Sequence, residues 1–294
     1  MSKTSVMTLS RRLATILAVL VAISVAPAAA STVGSPRLAA VQVALRARHL
    51  YWGTIDGLSG PATTAALVKL QRDAGLPPTG IPGPRTMTLL GPLAVRELGT
   101  RPLGPGATGG DVVELQFLLA WHGFPNGTVD GGFGTHVEAA LVGFQRWARL
   151  PVTGVAGPAT VAALHRPVPA CPVPLAWPIQ ATVGDRFGPR GAGFHPGIDI
   201  PAAPGTPVHA AAVGTVTFAG ATAAGYGNLV VVKGASGVAT MYAHLSRILA
   251  RPGEAVTVGS LLGLVGATGE TTGPHLHFEV RVRGAAVDPL PALQ

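Results

Sequence analysis

Several kinds of residue are scarce in this chain of 294 residues, and each scarcity excludes a class of protein. Cys171 is the only cysteine, so no disulfide can form within the chain. Charged residues make up 12% of the sequence and no run of lysines or arginines occurs, which argues against a nucleic-acid-binding surface. Aromatic residues reach only 5%, but hydrophobic residues as a whole make up 48%, which excludes a chain that is disordered throughout.

Two further absences concern nucleophilic catalysis. The sequence has no Gly-x-Ser-x-Gly motif, which argues against a serine hydrolase of that type. Cys171 lies in a proline-rich stretch at residues 166–174, where we expect no folded pocket that could activate a thiol. We therefore interpret Cys171 as incidental and look for another kind of catalysis.

The first 30 residues have the composition of a secretory signal peptide. The basic start consists of Lys3, Arg11 and Arg12, and an apolar stretch follows at residues 13–26. A small-residue cleavage site then lies at Ala28-Ala29-Ala30. An uncleaved membrane anchor is the alternative, but about 14 apolar residues are short for a bilayer span of about 20. We predict a cleaved leader at 1–30, no later membrane span, and a secreted protein.

Loss of this leader changes the charge balance, which is +8 for the whole chain. Three of the 21 basic residues lie in the leader and none of the 13 acidic ones does, so 18 basic and 13 acidic residues remain, a net charge of +5. This balance favours an anionic partner. Nucleic acid is one such partner, but the scattered basic residues make it a weak hypothesis.

A duplication runs through the first half of the chain at a constant offset of 74 residues, as from Gln42 to Gln116. The matching pairs include Asp56-Gly57 with Asp130-Gly131, Ala65-Ala66-Leu67 with Ala139-Ala140-Leu141, Gln71 with Gln145, Thr79-Gly80 with Thr153-Gly154, and Gly83-Pro84 with Gly157-Pro158. Apolar spacing predicts a first helix, an Asp-Gly turn and a second helix in each copy, and the Gly-Pro opens a short third helix. The pattern indicates two copies of one three-helix module.

These motifs resemble the peptidoglycan-binding repeat found on many wall hydrolases. The first copy departs from the second, because Leu58-Ser59 stands where the second has Gly132-Phe133. The resemblance implies binding to the wall, but for the Asp-Gly pair itself we favour a role in a turn over contact with the ligand. Gln71 and Gln145 are equally explained by capping or packing.

After residue 174 short runs of β-branched residues alternate with glycine and proline turns, which predicts an all-β domain. Within it, His275 and His277 lie at i and i+2 of a predicted strand, so both side chains project from one face. His195 and Asp199 flank Pro196-Gly197, a predicted bend that brings the two side chains to one point. Imidazole and carboxylate groups in this number predict a zinc site that keeps one position for water.

This part of the chain, over residues 177–289, resembles the lysostaphin/LytM-type zinc endopeptidases of bacterial cell walls. The motifs that carry the resemblance are Arg186-Phe187-Gly188-Pro189-Arg190, His195-Pro196-Gly197-Ile198-Asp199, Gly225-Tyr226-Gly227-Asn228, Tyr242-Ala243-His244-Leu245 and Gly273-Pro274-His275-Leu276-His277-Phe278-Glu279. The resemblance implies an all-β fold of the duplicated-hybrid-motif type, a β sandwich. It also implies one bound Zn²⁺ with His195, Asp199 and His277 as ligands, and His244 and His275 as the catalytic general base and transition-state stabiliser.

For other residues near these motifs, the sequence is compatible with two different roles. Arg186 and Arg190 fit either a substrate carboxylate or a turn, and Asn228 fits either substrate contact or, as we favour, a turn. Glu279 shares the face of His275 and His277, where it either orients a ligand histidine or is solvated. The remaining histidines have no partner pattern and are interpreted as surface or packing residues: His49, His122, His136, His165 and His209.

The sequence therefore predicts a multidomain, monomeric protein. Its predicted parts are a signal peptide at 1–30, peptidoglycan-binding repeats at 36–95 and 107–165, a proline-rich linker at 166–174, and an all-β zinc endopeptidase domain at 175–294. The predicted function is hydrolysis of peptide cross-links in peptidoglycan by a secreted, wall-associated enzyme. The alternative is a non-catalytic wall-binding or amidase-activating protein whose peptidase domain is a relic.

Overall fold

The computed structural model describes residues 32–294, so the predicted leader lies outside the described residues. Seven α-helices precede twelve β-strands in this part of the chain. The helices are α1 (Pro36–Ala47), α2 (Pro61–Asp73), α3 (Pro84–Leu90), α4 (Pro92–Val95), α5 (Gly110–Trp121), α6 (Thr135–Trp147) and α7 (Pro158–Leu164). Of the helices in 32–294, none is both long and apolar enough to cross a bilayer.

Helices α1 to α3 form the first module and α5 to α7 form the second, as the duplication predicts. In both modules the third helix begins at the predicted proline, Pro84 or Pro158, where the missing backbone N–H costs no helical hydrogen bond. Ser35 caps α1 by accepting a hydrogen bond from the backbone N–H of Leu38. The equivalent helices α1 and α5 pack against each other, so the two repeats form one helical unit.

The C-terminal domain consists of β-strands, as predicted, and the pairs between these strands are antiparallel. The strands are β1 (Gly188–Arg190), β2 (Gly193–His195), β3 (Ile198–Pro201), β4 (Pro207–His209), β5 (Gly214–Thr222), β6 (Gly227–Lys233), β7 (Val238–Ala243), β8 (Leu245–Ile248), β9 (Ala255–Val256), β10 (Leu261–Val265), β11 (His275–Val282) and β12 (Ala285–Val287).

The strands form three sheets. A seven-stranded sheet has the order β12-β11-β7-β6-β5-β9, with β3 paired to β11 beside β12. A three-stranded sheet has the order β4-β10-β8, and β1 and β2 form a separate hairpin. Buried side chains that include Ile198, Val208, Tyr242, Leu262 and Phe278 form the core of the domain.

Strand β11 is buried on both faces over most of its length, which sets up the site. Leu276 and Phe278 point into the core and are 0% exposed, as the alternation predicts. His275, His277 and Glu279 occupy the opposite face. One face of β11 therefore packs in the core, and the other face lines a polar cleft.

Candidate metal centre

All five predicted site residues line a single cleft of about 650 Å³ in the C-terminal domain: His195, Asp199, His244, His275 and His277. Asp185, Arg190, Tyr226 and Glu279 line it as well. Residues far apart in the chain thus meet at one polar cavity.

Strand register brings these residues together. In the β3–β11 pair, Asp199 lies directly opposite His277. In the β7–β11 pair, Ala243 lies opposite His277, so His244 follows at the end of β7. Strand β11 therefore carries two of the histidines and receives the other groups from its neighbours on both sides.

Gly197 allows the predicted bend between His195 and Asp199 to lie against β11. A Cβ at this position would be 2.5 Å from the backbone oxygen of Phe278, a separation that no side chain tolerates. The close approach places His195 Nε2 3.1 Å from Asp199 Oδ1. The bend thus brings the two side chains to one point, as the sequence predicts.

Three potential ligand atoms converge within this cleft. His277 Nδ1 lies 2.7 Å from Asp199 Oδ1 and 3.0 Å from His195 Nε2. Ligands at about 2.0–2.1 Å from a tetrahedral zinc lie about 3.3 Å apart, so the spacing is close to that of a zinc site. Among the described residues, His195, Asp199 and His277 are the group of potential ligands that meets this condition.

Hydrogen bonds on the far side of each ring orient the histidines. His195 Nδ1 is 2.9 Å from the carbonyl oxygen of Arg186, and His277 Nε2 is 3.0 Å from Glu279 Oε1. Because these acceptors take the ring N–H groups, the other nitrogen of each ring presents a lone pair to Asp199. Two lone pairs and a carboxylate oxygen repel one another unless a cation lies between them, so the residues present fit Zn²⁺.

The electrostatics of the cluster also favour a positive charge at its centre. Burial alone would raise the pKa of Asp199, but the adjacent His195 and His277 side chains hold it well below its ordinary value. Burial opposes protonation of His277, yet Asp199 and Glu279 together raise its pKa to about 9. Either a proton or a metal ion would supply the positive charge that these carboxylates favour.

Glu279 is buried, 0% exposed, which resolves the two readings that the sequence leaves open. Besides His277, it accepts hydrogen bonds from Tyr226 at 2.6 Å and from Arg281 at 2.9 Å. It is therefore a fixed acceptor that orients His277 and is not solvated. Sequence reasoning missed Arg281, although the alternation of β11 puts it on the same face as Glu279.

His244 and His275 form a second pair beside the three converging residues. Their ring centroids are 4.8 Å apart, and His275 Nε2 lies 3.5 Å from Asp199 Oδ1. His244 Nδ1 is 2.8 Å from the carbonyl oxygen of Thr268, and His275 Nδ1 is 2.8 Å from that of Gly273. These contacts leave Nε2 of each ring for the cleft.

Backbone and burial both set His244 apart. It adopts φ of +60°, a conformation that non-glycine residues rarely take and that concentrates at functional sites. Burial lowers its pKa, so the neutral imidazole, with a lone pair on Nε2, is the favoured form.

The structure shows the contacts of Arg190 and Asn228, for which the sequence left two roles open. Arg190 Nη1 bridges Asp199 Oδ2 at 3.2 Å and Asp185 Oδ2 at 3.4 Å, while more than half of its side chain remains exposed. Asn228 Nδ2 donates to the carbonyl oxygen of Leu245, which ties two strands together. Asn228 is therefore structural, whereas Arg190 contacts the cluster itself.

Comparisons with known proteins agree with this division of the chain. Residues 193–289 match the model of Peptidase family M23. Residues 34–90 and residues 108–164 each match the model described as "Putative peptidoglycan binding domain".

Similar proteins come from several bacteria. The chain is 50% identical over 97 residues, 33% of its length, to the DD-carboxypeptidase/endopeptidase Mpg of Neisseria meningitidis serogroup B, of which the match covers 22%. It is 38% identical over 114 residues, 39% of its length, to the murein hydrolase activator NlpD of Escherichia coli, of which the match covers 30%. The chain thus spans less than a third of either curated relative. The catalytic domain of the antimicrobial peptidase lysostaphin from Staphylococcus simulans is 35% identical, with 38% of this chain and 90% of that chain covered and a TM-score of 0.36.

Proposed function

We propose that this chain, which carries a domain of peptidase family M23 behind two peptidoglycan-binding repeats, is a secreted zinc endopeptidase that hydrolyses peptide cross-links of bacterial peptidoglycan. The observation that supports this most is the convergence of His195, Asp199 and His277 in a cleft beside His244 and His275. The names of the relatives, a DD-carboxypeptidase/endopeptidase and a murein hydrolase activator, support a location in the cell envelope.

His195, Asp199 and His277 are the residues that would hold the metal. When bound, zinc supplies a water of near-neutral pKa and polarises a carbonyl. His244 and His275 are the proposed catalytic residues. Because Nδ1 of each is taken by a backbone carbonyl, Nε2 is free to accept the proton of the attacking water and to return it to the leaving amine. A protonated imidazole at the same place stabilises a developing oxyanion.

The repeats give this activity its target. Binding to peptidoglycan by either repeat raises the local concentration of cross-links at the cleft without adding a contact to the reacting atoms. The predicted leader at 1–30 would direct export of the enzyme, which we expect to act as a monomer. We therefore expect the full chain to act on wall material far better than on casein.

Wall digestion tests the proposal. Residues 31–294 should solubilise purified peptidoglycan, and a zinc chelator should abolish the activity. His277→Ala should lose both zinc and activity, whereas His275→Ala should keep zinc near one per chain and lose activity by a factor of about 10² to 10⁴. Full activity in His277→Ala would refute the assignment of the metal ligands.

A second candidate is a non-catalytic activator of other wall enzymes, and the similarity to the murein hydrolase activator NlpD favours it. The retention of His195, Asp199, His244, His275 and His277 supports the enzyme instead, since an activator needs no complete ligand set. Zinc content of the purified protein separates the two candidates. No bound zinc and no released wall fragments, together with stimulation of an added amidase, would establish the activator.

A further inference from the structure

The β1–β2 hairpin contributes Arg190 and His195 to the lining of the cleft. It forms a sheet of two strands that pairs with no other described strand. An isolated two-stranded hairpin is marginal in water and needs packing against another element. Something outside the main sheets must therefore hold it in place.

This hairpin carries groups on which the metal centre depends. His195 is the last residue of β2, and Arg190 is the last residue of β1. Arg186, just before β1, supplies the carbonyl oxygen that orients the His195 ring. A shift of the hairpin would move one of the three converging ligands and the guanidinium beside Asp199 together.

Both repeats donate hydrogen bonds to the tip of the hairpin through equivalent residues. The backbone N–H of Ile55 in the first repeat donates to the carbonyl oxygen of Gly191 at 2.8 Å. The backbone N–H of Val129, 74 positions later in the second repeat, donates to that of Ala192 at 2.7 Å. The two donors precede the two Asp-Gly turns, so each repeat offers the same loop to one of two consecutive carbonyls.

Trp121, the last residue of α5, fills the space beneath the hairpin. Its ring lies 5.4 Å from that of Phe194 and 6.2 Å from that of Phe187, both in edge-on contact, and it is 3% exposed. Such aromatic pairs add about 0.5–1.5 kcal/mol beyond the area that they bury. Phe194 directly precedes His195, so this packing acts one residue from the candidate ligand.

We infer that Trp121 and the loop amides of Ile55 and Val129 are positioning groups of the metal centre, and that the repeats therefore complete the catalytic domain as well as targeting it. The inference rests on the proposed assignment of His195, Asp199 and His277 as zinc ligands. Groups that orient a ligand from outside the coordination sphere typically contribute 10- to 100-fold to metal affinity or activity.

Trp147 provides a matched control for Trp121. It also lies in the second repeat and also contacts the C-terminal domain, because its Nε1–H donates to the carbonyl oxygen of Val282 and its ring lies 5.1 Å from the guanidinium carbon of Arg283. These contacts lie at the end of β11, five residues or more beyond His277, and not on the hairpin. Trp121→Ala and Trp147→Ala therefore both weaken the domain contact, but only the first should disturb the metal centre.

Zinc titration of the full chain tests the inference. Trp121→Ala should raise the zinc dissociation constant about tenfold, Trp121→Phe should restore most of the affinity, and Trp147→Ala should leave it unchanged. Equal zinc affinity in wild type and Trp121→Ala, or equal losses in the two alanine variants, would overturn the inference. Failure of the wild-type chain to bind zinc would instead overturn the proposed function on which it rests.

Hydrogen exchange in the wild-type chain provides a test that needs no variant. Because coupling between two sites is reciprocal, zinc should slow exchange at the amides of Ile55 and Val129. The control amides are Ser35, which donates to Gly57, and Gly109, which donates to Gly131, since both bonds stay within a repeat. Slowing confined to Ile55 and Val129 supports the inference, and slowing at all four amides or at none contradicts it.

Discussion

In both repeats a glutamine of the first helix fills the loop that follows that helix. Gln42 Oε1 accepts from the backbone N–H of Gly57 at 2.8 Å, while its Nε2 donates to Asp56 and to the carbonyl oxygen of Leu58. In the second repeat Gln116 makes the corresponding bonds to Gly131, Asp130 and Gly132. Duplication has therefore kept one internal hydrogen-bond network in two different surroundings.

The glutamine of the second helix repeats the arrangement around the next loop. Gln71 bonds to Thr79, Gly80 and Ile81, and Gln145 bonds to Thr153, Gly154 and Val155. All four glutamines are at most 2% exposed. Of the two readings of Gln71 and Gln145, packing within the module is the one that the structure supports.

The burial of equivalent residues differs between the two repeats much more than these hydrogen-bond networks do. Every residue of α5 is buried, whereas the end of α1 faces solvent. Trp121, His122 and Phe133 are buried where the first repeat has the exposed residues Ala47, Arg48 and Ser59. Helix α5 packs against α1 of the first repeat, and Trp121 packs against Phe187 and Phe194 of the C-terminal domain. By contrast, His122 and Phe133 are buried within the second repeat itself.

Among the predicted differences between the repeats, exchanging the equivalent residues Phe133 and Ser59 should change the free energy of unfolding most unequally. Phe133 packs in the core of the second repeat with 4% exposure, so Phe133→Ser should lower the free energy of unfolding by about 3–5 kcal/mol. The reciprocal Ser59→Phe changes an exposed position and should stay within about 0.5 kcal/mol. Urea denaturation of both variants measures the asymmetry, and similar losses would contradict it.

Loss of the shared glutamines should affect the two repeats equally. Gln42→Ala or Gln116→Ala leaves buried loop amides without an acceptor, which should cost about 1–3 kcal/mol in each case. The measurement is the denaturation midpoint of each variant together with amide exchange at Gly57 and Gly131. If only one variant is destabilised, the networks are not energetically equivalent.

The pH dependence of stability should distinguish His122 from its counterpart Arg48. Burial lowers the pKa of His122, whose Nε2 lies 2.9 Å from the carbonyl oxygen of Leu164. Its contribution is present above the ordinary pKa of 6.5 and is lost as pH falls towards the folded-state pKa, because the unfolded chain then binds the proton better. His122→Gln should reduce the acid loss by at most about 1.4 kcal/mol per pH unit.

The exposed His165 is the control for that experiment. It lies close enough to lower the pKa of His122 further, yet it remains at the surface itself. His165→Gln should leave most of the pH dependence in place. An identical pH profile for wild type and His122→Gln would show that His122 does not titrate with folding.

Leu58 should have the smallest effect on stability. It occupies the position of Gly132, is 43% exposed, and lines a second cavity of about 350 Å³ between the repeats and the hairpin. Leu58→Ser should change the free energy of unfolding by less than about 0.5 kcal/mol. A loss comparable to that of the glutamine variants would mean that Leu58 packs against the hairpin in solution.

The local elements of both halves could be predicted because their signals come from neighbours in the chain. Apolar spacing around Val41 and Leu45 predicts α1, Gly-Pro predicts the starts of α3 and α7, and the alternation in β11 separates the core face from the site face. The short strands β1, β2, β3, β8, β9 and β12 were not predicted, because two to four residues carry too little periodicity to distinguish a strand from a turn.

The sequence by itself determined the three-helix repeats, the all-β domain, and the residues from which a metal centre can be built. Only the tertiary structure decided which nitrogen of each histidine faces Asp199, that Glu279 is a buried acceptor, and that Trp121 supports the hairpin that ends in His195. The reason is distance along the chain. Asp199 and His277 are separated by 78 residues, and their 2.7 Å contact depends on the β3–β11 register, which no short motif encodes.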